Sequence, residues 1–373
     1  MADKKIKVIQ VIHGMHYGGA ENVVYNIVNQ LEETEFDSFI CCTNFTGDIG
    51  EEMARDGFPI RTLPKGLGVI GTYKAIRSLL DELDADVVHT HGTPALLAVS
   101  LPFLRRRKTK WIHTYHFGNY PHVKKTYLYA EKALSRFADQ LVSVSDSQQR
   151  AVIRHLGVAK KKIMTIFNGV PDNPCRNDAA MRASYRNALG YTDQDIVVAS
   201  IVVLTRQKGI NYLIDSVDSV CNQQSNVKYL IVGGGVLEND LREQAAQVKH
   251  SDKIQFTGWR KDIKEIMTAV DVFVLPSLWE GLPMVLLEAM ASGLPVIVTD
   301  VADNANVVED GRSGYVIPPA DTEALQDAIL KMTSDARKVE SFGEQARISY
   351  EQKFTVSKMV EQYAEVYRRL SNS

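Results

Sequence analysis

The stretch SLWEGLPMVLLEAMASGLPVIVTD, residues 277–300, sets Glu280 and Glu288 around a Gly-Leu-Pro-Met turn, at the start of an apolar helix. A carboxylate taken out of water is costly unless a donor or a cation meets it. These two are therefore either satisfied structural groups or acceptors for a ligand rich in hydroxyls. The preceding VFVLPS reads as a buried strand, and Pro283 suits the first turn of the helix that follows. Glu280 then lies in the loop and Glu288 inside the helix, about 7–8 Å along its axis at about 1.5 Å per residue. Met284 and Glu288 are four apart, so Glu288 faces the same side as the helix start. There the turn Gly281-Leu282-Pro283-Met284 leaves free amides, which attract phosphate. A nucleoside-diphosphate sugar carries hydroxyls on both sugars with phosphates between them, and that molecule fits the pattern.

Further candidates follow other strands. In HGMHYGGAENVV, residues 13–24, Gly18 and Gly19 permit a tight turn that brings backbone amides to an anion, or form a plain strand-to-helix turn. The stretch is not GxGxxG, and no acid stands where a dinucleotide ribose would need it, which disfavours a dehydrogenase. In TRQKG, residues 205–209, Arg206 and Lys208 could meet a diphosphate leaving group, or be a solvated basic pair. VGGG, residues 232–235, suits close approach of a ligand or close packing of a turn equally. Gly258-Trp259-Arg260 in FTGWRKD could meet a nucleobase, or Trp259 could be a packing residue. His89 and His91 end one strand, His113 and His116 the next. HxH on a strand puts two rings on one face without the remaining zinc ligands, so hydrogen bonding to sugar or phosphate is preferred to metal. The strings Asp84–Asp86 and Asp193–Asp195 precede strands and read as turn residues.

Parallel strands buried on both faces must hold these residues. Candidate strands are KVIQVIH, SFICCT, VVHTH, KWIHTYH and QLVSVS, then VVASIVV, VKYLIVGG, KIQFTG, VFVLPS and PVIVTD. Helical patterns such as AENVVYNIVNQL and INYLIDSVDSVC lie between them. The pattern restarts near residue 190, and NGVPDNPCRND, residues 168–178, reads as a linker. The expected fold is α/β, with two doubly wound Rossmann-like domains, residues 1–173 and 174–355, facing a central cleft. The last segment, 356–373, is a helix expected to cross back to the first domain. In open α/β sheets ligands bind beyond the carboxyl ends of the strands, where the candidates fall.

With 373 residues, 45% hydrophobic and 24% charged, the chain has a globular composition. No apolar run reaches the roughly 18 residues that span a bilayer. MADKKIKVIQVIHG reads as a first strand rather than a signal peptide. Cys41, Cys42, Cys175 and Cys221 have neither CxxC nor zinc spacing, which fits reduced thiols in the cytoplasm. The net charge of −2 divides into +4 over residues 1–173 and −6 over 174–373. That asymmetry suits a first half meeting an anionic membrane surface, and is too weak for nucleic acid.

Taken in order, GGAENVV, DVVHTHG, HTYH, FADQLVSVS, IFNGV, RQKG, FTGWRKD and EGLPMVLLEAMASGLPVIVTD resemble glycosyltransferase family 4, the retaining nucleotide-sugar transferases of GT-B fold. The resemblance covers nearly the whole chain, and its last block is the specific one. It implies that Glu280 contacts donor-sugar hydroxyls and Glu288 the ribose, while Lys208, with Arg206 nearby, neutralises the diphosphate. It implies also that amides around Leu282 and Met284 bind phosphate or sugar oxygens, that Gly19 approaches the donor, and that His116 meets the transferred sugar. No metal and no cofactor is then required, since the nucleotide sugar is a substrate. Two departures stand out: Val203 occupies the place of the family's arginine, and Asn306 that of a glutamate.

The acceptor is expected to be a saccharide or a lipid-linked saccharide. WIHTYHFGNYPHVKKTY, residues 111–127, offers aromatic faces and Lys124-Lys125 for it, or packs as an ordinary loop. The basic run in LPFLRRRKTK, Arg105–Lys108, could rest on the inner face of a membrane, or be a solvated face. Two other functions share the architecture: a nucleotide-sugar-binding protein without turnover, and a nucleotide-sugar epimerase, for which no acid/base set is identifiable.

Overall fold

In the computed structural model, which describes residues 4–16, 18–103, 108–116 and 125–372 (backbone alone at 101–103), the chain divides into two units. One is Met1–Gly169 with Val356–Ser373, the other Val170–Thr355. Arg105–Arg107, Lys124 and the loop before it lie outside the described residues.

The first unit holds a seven-stranded sheet: β1 (Ile6–Ile12), β2 (Phe36–Cys42), β3 (Ile60–Thr62), β4 (Val87–His91), β5 (Lys110–Tyr115), β6 (Gln140–Ser143) and β7 (Ile163–Thr165). All pairs are parallel, in the order β3-β2-β1-β4-β5-β6-β7. The side-chain alternation of a strand divides these residues between two cores. Val8, Val87, Ile112 and Val142 enter one, and Ile9, Val88, Trp111 and Leu141 the other. Helix Gly19–Gln30 covers the first core with Val23 and Ile27, four apart on one face. The terminal helix Val356–Ser371 fills the rest of that core with Val356, Met359, Val360, Tyr363, Tyr367 and Leu370, again at helical spacing. Arg368 adds a bidentate pair to Glu35, both distances 2.7 Å.

The second unit holds six strands: β8 (Ile196–Ile201), β9 (Val227–Val232), β10 (Ile254–Gly258), β11 (Val272–Leu275), β12 (Val296–Thr299) and β13 (Gly314–Ile317). Their order is β10-β9-β8-β11-β12-β13, all parallel. Both sheets are thus doubly wound, with strand order reversing between β1 and β4 and between β8 and β11. Those reversals are where an open sheet forms a crevice at its carboxyl edge.

One local expectation is corrected. INYLIDSVDSVC is not one helix: it breaks at Ser216 into Ile210–Asp215 and Val217–Gln223, the Ser216 hydroxyl turning back on the Leu213 carbonyl at 2.6 Å. Residues 168–178, expected as a linker, contain the division between the units at Gly169/Val170, and the stretch after it is tied to the second unit. Asn173 is buried and donates to the Lys264 carbonyl and the Ser292 hydroxyl, both at 2.9 Å. Asp172 pairs with Arg347, and Val170 bridges Thr355.

Candidate active site

At the carboxyl edge of the second sheet, the loops after β8 and β11 meet. The chain leaves β8 and forms a single 3-10 turn, Arg206–Lys208, closed by Gly209 at φ +63. A Cβ at Gly209 would collide with the Pro276 carbonyl oxygen, so only glycine lets the two loops lie this close. The Leu278 amide donates to the Gln207 carbonyl at 2.7 Å and ties them together.

The pair expected from the two motifs forms here. Lys208 Nζ lies 2.5 Å from Glu280 Oε1, with side chains 16% and 5% exposed. Ser277 Oγ donates to the same oxygen at 2.7 Å, and Gln207 Nε2 to the other at 3.2 Å. Gln207 also donates to the Trp279 carbonyl at 2.9 Å, which fixes its amide. In the unliganded chain Glu280 is a satisfied group, and its partners are a cation and two neutral donors. Glu288 is the opposite case. It sits in the second turn of helix Met284–Ala291, and burial raises its carboxyl above the ordinary range, with Lys264 opposing. Among the described residues its carboxylate has no hydrogen-bond partner.

Pro283 is the cap of that helix, at φ −71 and ψ 118, rather than a residue of its first turn. Its extended conformation leaves the amides of Met284 and Val285 without partners among the described residues, and Leu282 is buried beneath them. Gly281 lies in the same loop, between Glu280 and Leu282. Arg206 is exposed and has no partner among the described residues, so it does not share the Glu280 pocket with Lys208. Val203 is 44% exposed on the same loop. Asn306, in helix Asn304–Val307, donates to Asp303 Oδ1 at 2.5 Å.

The glycine run after β9 is a packing device. Gly233, at φ +123, and Gly235 leave no room for a Cβ against the carbonyls of Val202 and Leu204. Gly234 faces the indole of Trp259, which follows Gly258 (φ +69) at the end of β10. Trp259 is 69% exposed and so is not a core residue. Arg260 beside it is held by Asp262, at 2.8 Å from Nε, and this pairing pulls the Asp262 carboxyl down to about 2.

In the first unit, Gly18 and Gly19 stand at a helix start. Gly18 is extended at φ −164 and caps the helix that Gly19 begins. The Glu21 carboxylate folds back against Gly18 and accepts from its own backbone amide, so this helix terminus already carries an acid. His116 follows β5 and is partly buried, its Nε2 2.9 Å from Nδ1 of His91. His89, His91 and His113 are buried. Burial lowers the pKa of all four, His113 to about 4 and His116 to about 3, the latter also through repulsion by His113. Among the described residues no group of three or more His, Cys, Asp or Glu side chains is placed to hold a metal ion. Nor is any described helix long and apolar enough to cross a membrane.

Two family models match the chain in succession, Glycosyltransferase Family 4 over residues 17–173 and Glycosyl transferases group 1 over residues 181–349. The chain belongs to glycosyltransferase family 4. A relative from Escherichia coli, named UDP-Gal:alpha-D-GlcNAc-diphosphoundecaprenol alpha-1,3-galactosyltransferase, is 27% identical over 347 residues, 89% of each chain. The putative glycosyltransferase EpsD of Bacillus subtilis is 26% identical over 320 residues, 83% of each chain. The crystal structure of Anabaena HepE in complex with UDP superposes with a TM-score of 0.88 at 22% identity, covering 98% of this chain and 100% of that one. That likeness shows the GT-B fold.

Within this family 4 chain, sequence reasoning missed Ser277, Gln207 and Gly209, which build the Lys208–Glu280 pair. The only signal was position, since each lies within three residues of a named candidate. Gln10, Tyr363 and Tyr367 were missed as well, and nothing in their local sequence marks them.

Proposed function

We propose that the chain transfers a sugar from a nucleotide sugar, with retention of configuration, to a saccharide or lipid-linked acceptor in glycan assembly. What carries the reading is the Lys208–Glu280 pair at the β8/β11 reversal, beside an open helix N-terminus and the half-buried, unpaired carboxyl of Glu288. A donor can exchange these contacts for its own. Lys208, with Arg206 arriving from solvent, takes the diphosphate, and the amides of Met284 and Val285 add their dipoles. Glu280, keeping Ser277 and Gln207, turns its lone pairs to the sugar hydroxyls, while Glu288 accepts from the ribose. The exposed face of Trp259, next to Gly258, is the proposed support for the base. Gly18, Gly19 and His116 are the first unit's proposed contacts to the donor, His116 to the transferred sugar.

In the proposed step the bond from the anomeric carbon to the phosphate oxygen breaks as the acceptor oxygen bonds the same face. The acceptor's proton passes to the departing phosphate oxygen. The chain contributes position and the positive field that receives the developing charge. The nucleotide sugar is consumed as substrate, and the step draws on no resident cofactor or metal. Uridine diphosphate is the proposed nucleotide and a lipid diphosphate-linked saccharide the proposed acceptor, both taken from the name of the Escherichia coli relative. Such an acceptor fits the proposal that the chain works at the inner face of a membrane.

The test is a transfer assay with UDP- and GDP-sugars on that acceptor, following the anomeric configuration of product. Lys208→Ala is expected to lower turnover about 100-fold, the usual loss for one electrostatic stabiliser. Inverted product, or a Lys208→Ala enzyme at wild-type rate, overturns the mechanism; binding without product makes the chain a nucleotide-sugar-binding protein instead.

A further inference from the structure

Gln10 is fully buried on β1, in register beside His89 of β4. Its amide makes two bonds of opposite sense. The nitrogen donates to the Tyr367 hydroxyl at 3.0 Å, and the oxygen faces Nε2 of His91 at 2.8 Å. Beyond His91, Nδ1 meets Nε2 of His116 at 2.9 Å, the two rings stacked with centroids 5.2 Å apart. On the other leg the Tyr367 hydroxyl lies 2.7 Å from Nδ1 of His89, whose Nε2 lies 2.7 Å from Thr114 Oγ1.

Burial keeps these rings neutral, so each carries one N–H and one bare nitrogen. Each link then fixes the next. With the amide as it stands, His91 donates from Nε2 to Gln10 and must accept at Nδ1, so His116 carries its proton on Nε2 and leaves Nδ1 bare. On the other leg Tyr367 donates to His89, and His89 donates to Thr114. Turning the amide over reverses every bond and moves the His116 proton to Nδ1. The two ends of an amide have the same shape, so packing alone does not choose between these states.

We propose that Gln10 is a positioning residue: its amide, held by Tyr367 of the terminal helix, sets through His91 which nitrogen of His116 bears the proton. In the orientation of this structure His116 offers its ligand an acceptor, suited to a sugar hydroxyl. That catalytic consequence rests on the reading of His116 as a sugar contact; the placement of the proton does not.

The experiment follows imidazole nitrogen shifts in unliganded chain with 15N-labelled histidine, His116 being assigned by the signal lost in His116→Gln. Wild type is expected to show His91 and His116 each as the single Nε2–H form. Gln10→Met and Tyr367→Phe, the second keeping the ring and its packing, are each expected to give a mixture of both forms at His116. With a UDP-sugar donor each variant should lose roughly tenfold in kcat, in the range for loss of an outer hydrogen-bond partner. Donor KM should stay within about twofold, and the double variant should be no slower than either single one. A mixed form in wild type, an unmoved His116 signal in both variants, or additive kcat losses would overturn the proposal. Failure of wild type to transfer sugar would sink the transferase reading alone, since the shifts are read without donor.

Discussion

Replacing Lys208 by methionine separates what that lysine does for the fold from what it does for a donor. At 2.5 Å and an effective dielectric of about 20, its attraction to Glu280 is about 6–7 kcal/mol gross. Most of this is offset by the cost of holding a carboxylate that is 5% exposed. Lys208→Met removes the attraction and leaves that cost, softened by Ser277 and Gln207, which still donate to Glu280. The expected destabilisation is about 2–3 kcal/mol, below the roughly 3–5 kcal/mol of a buried pair stripped of all partners. In a unit the size of residues 170–355 that lowers Tm by about 4–12 °C. Adding Glu280→Gln removes the stranded charge, and the double variant should recover about 2 kcal/mol while transfer stays lost. Thermal and urea unfolding of the four proteins in the cycle measure this. Additive losses, with no recovery in the double variant, would show that the two side chains do not hold each other, and the exchange of contacts proposed for donor binding would lose its basis.

Three further outcomes follow from the geometry. His89, His91, His113 and His116 are held neutral, with folded pKa values below the ordinary 6.5, so unfolding takes up protons in acid. The sign makes stability of the first unit fall as pH drops below about 6.5, by up to about 1.4 kcal/mol per pH unit for each ring, levelling as each folded pKa is passed. Unfolding between pH 7 and 4 should show this slope, and His113→Gln should reduce it; a flat profile refutes the neutral cluster. Gly209→Ala, at φ +63 and against the Pro276 carbonyl, should cost more than about 2 kcal/mol, and an alanine variant within about 0.5 kcal/mol of wild type refutes the close approach. Glu288→Gln should weaken nucleotide-sugar binding about tenfold without loss of Tm, as expected when a half-buried, unpaired carboxyl becomes a neutral amide; calorimetry of binding and a melting curve check both.

Doubly wound sheets were legible because parallel strands buried on both faces read as β-branched runs, and KVIQVIH, VVHTH and PVIVTD do so. The three-residue strands β3 and β7 were not, since so short a run has no period. Lys208 and Glu280 were legible as separate candidates from types and spacing, but they stand 72 positions apart, and only the fold shows the ion pair. The glycine pair at 18–19 was legible as a helix start after a strand, but the Glu21 carboxylate lying against Gly18 was not, since it depends on how a side chain three residues on folds back. Gln10 and Tyr367, 357 apart, meet through a helix whose own sequence shows only that it is amphipathic.

That helix also orders events during synthesis. Val356, Tyr363 and Tyr367 belong to the same core as Val8, Ile27 and Val87, so strands made before the second unit wait, incompletely covered, for residues made after it. Residues 170–355 need no such segment and can close first, an inversion of the usual order in which domains mature from the amino end.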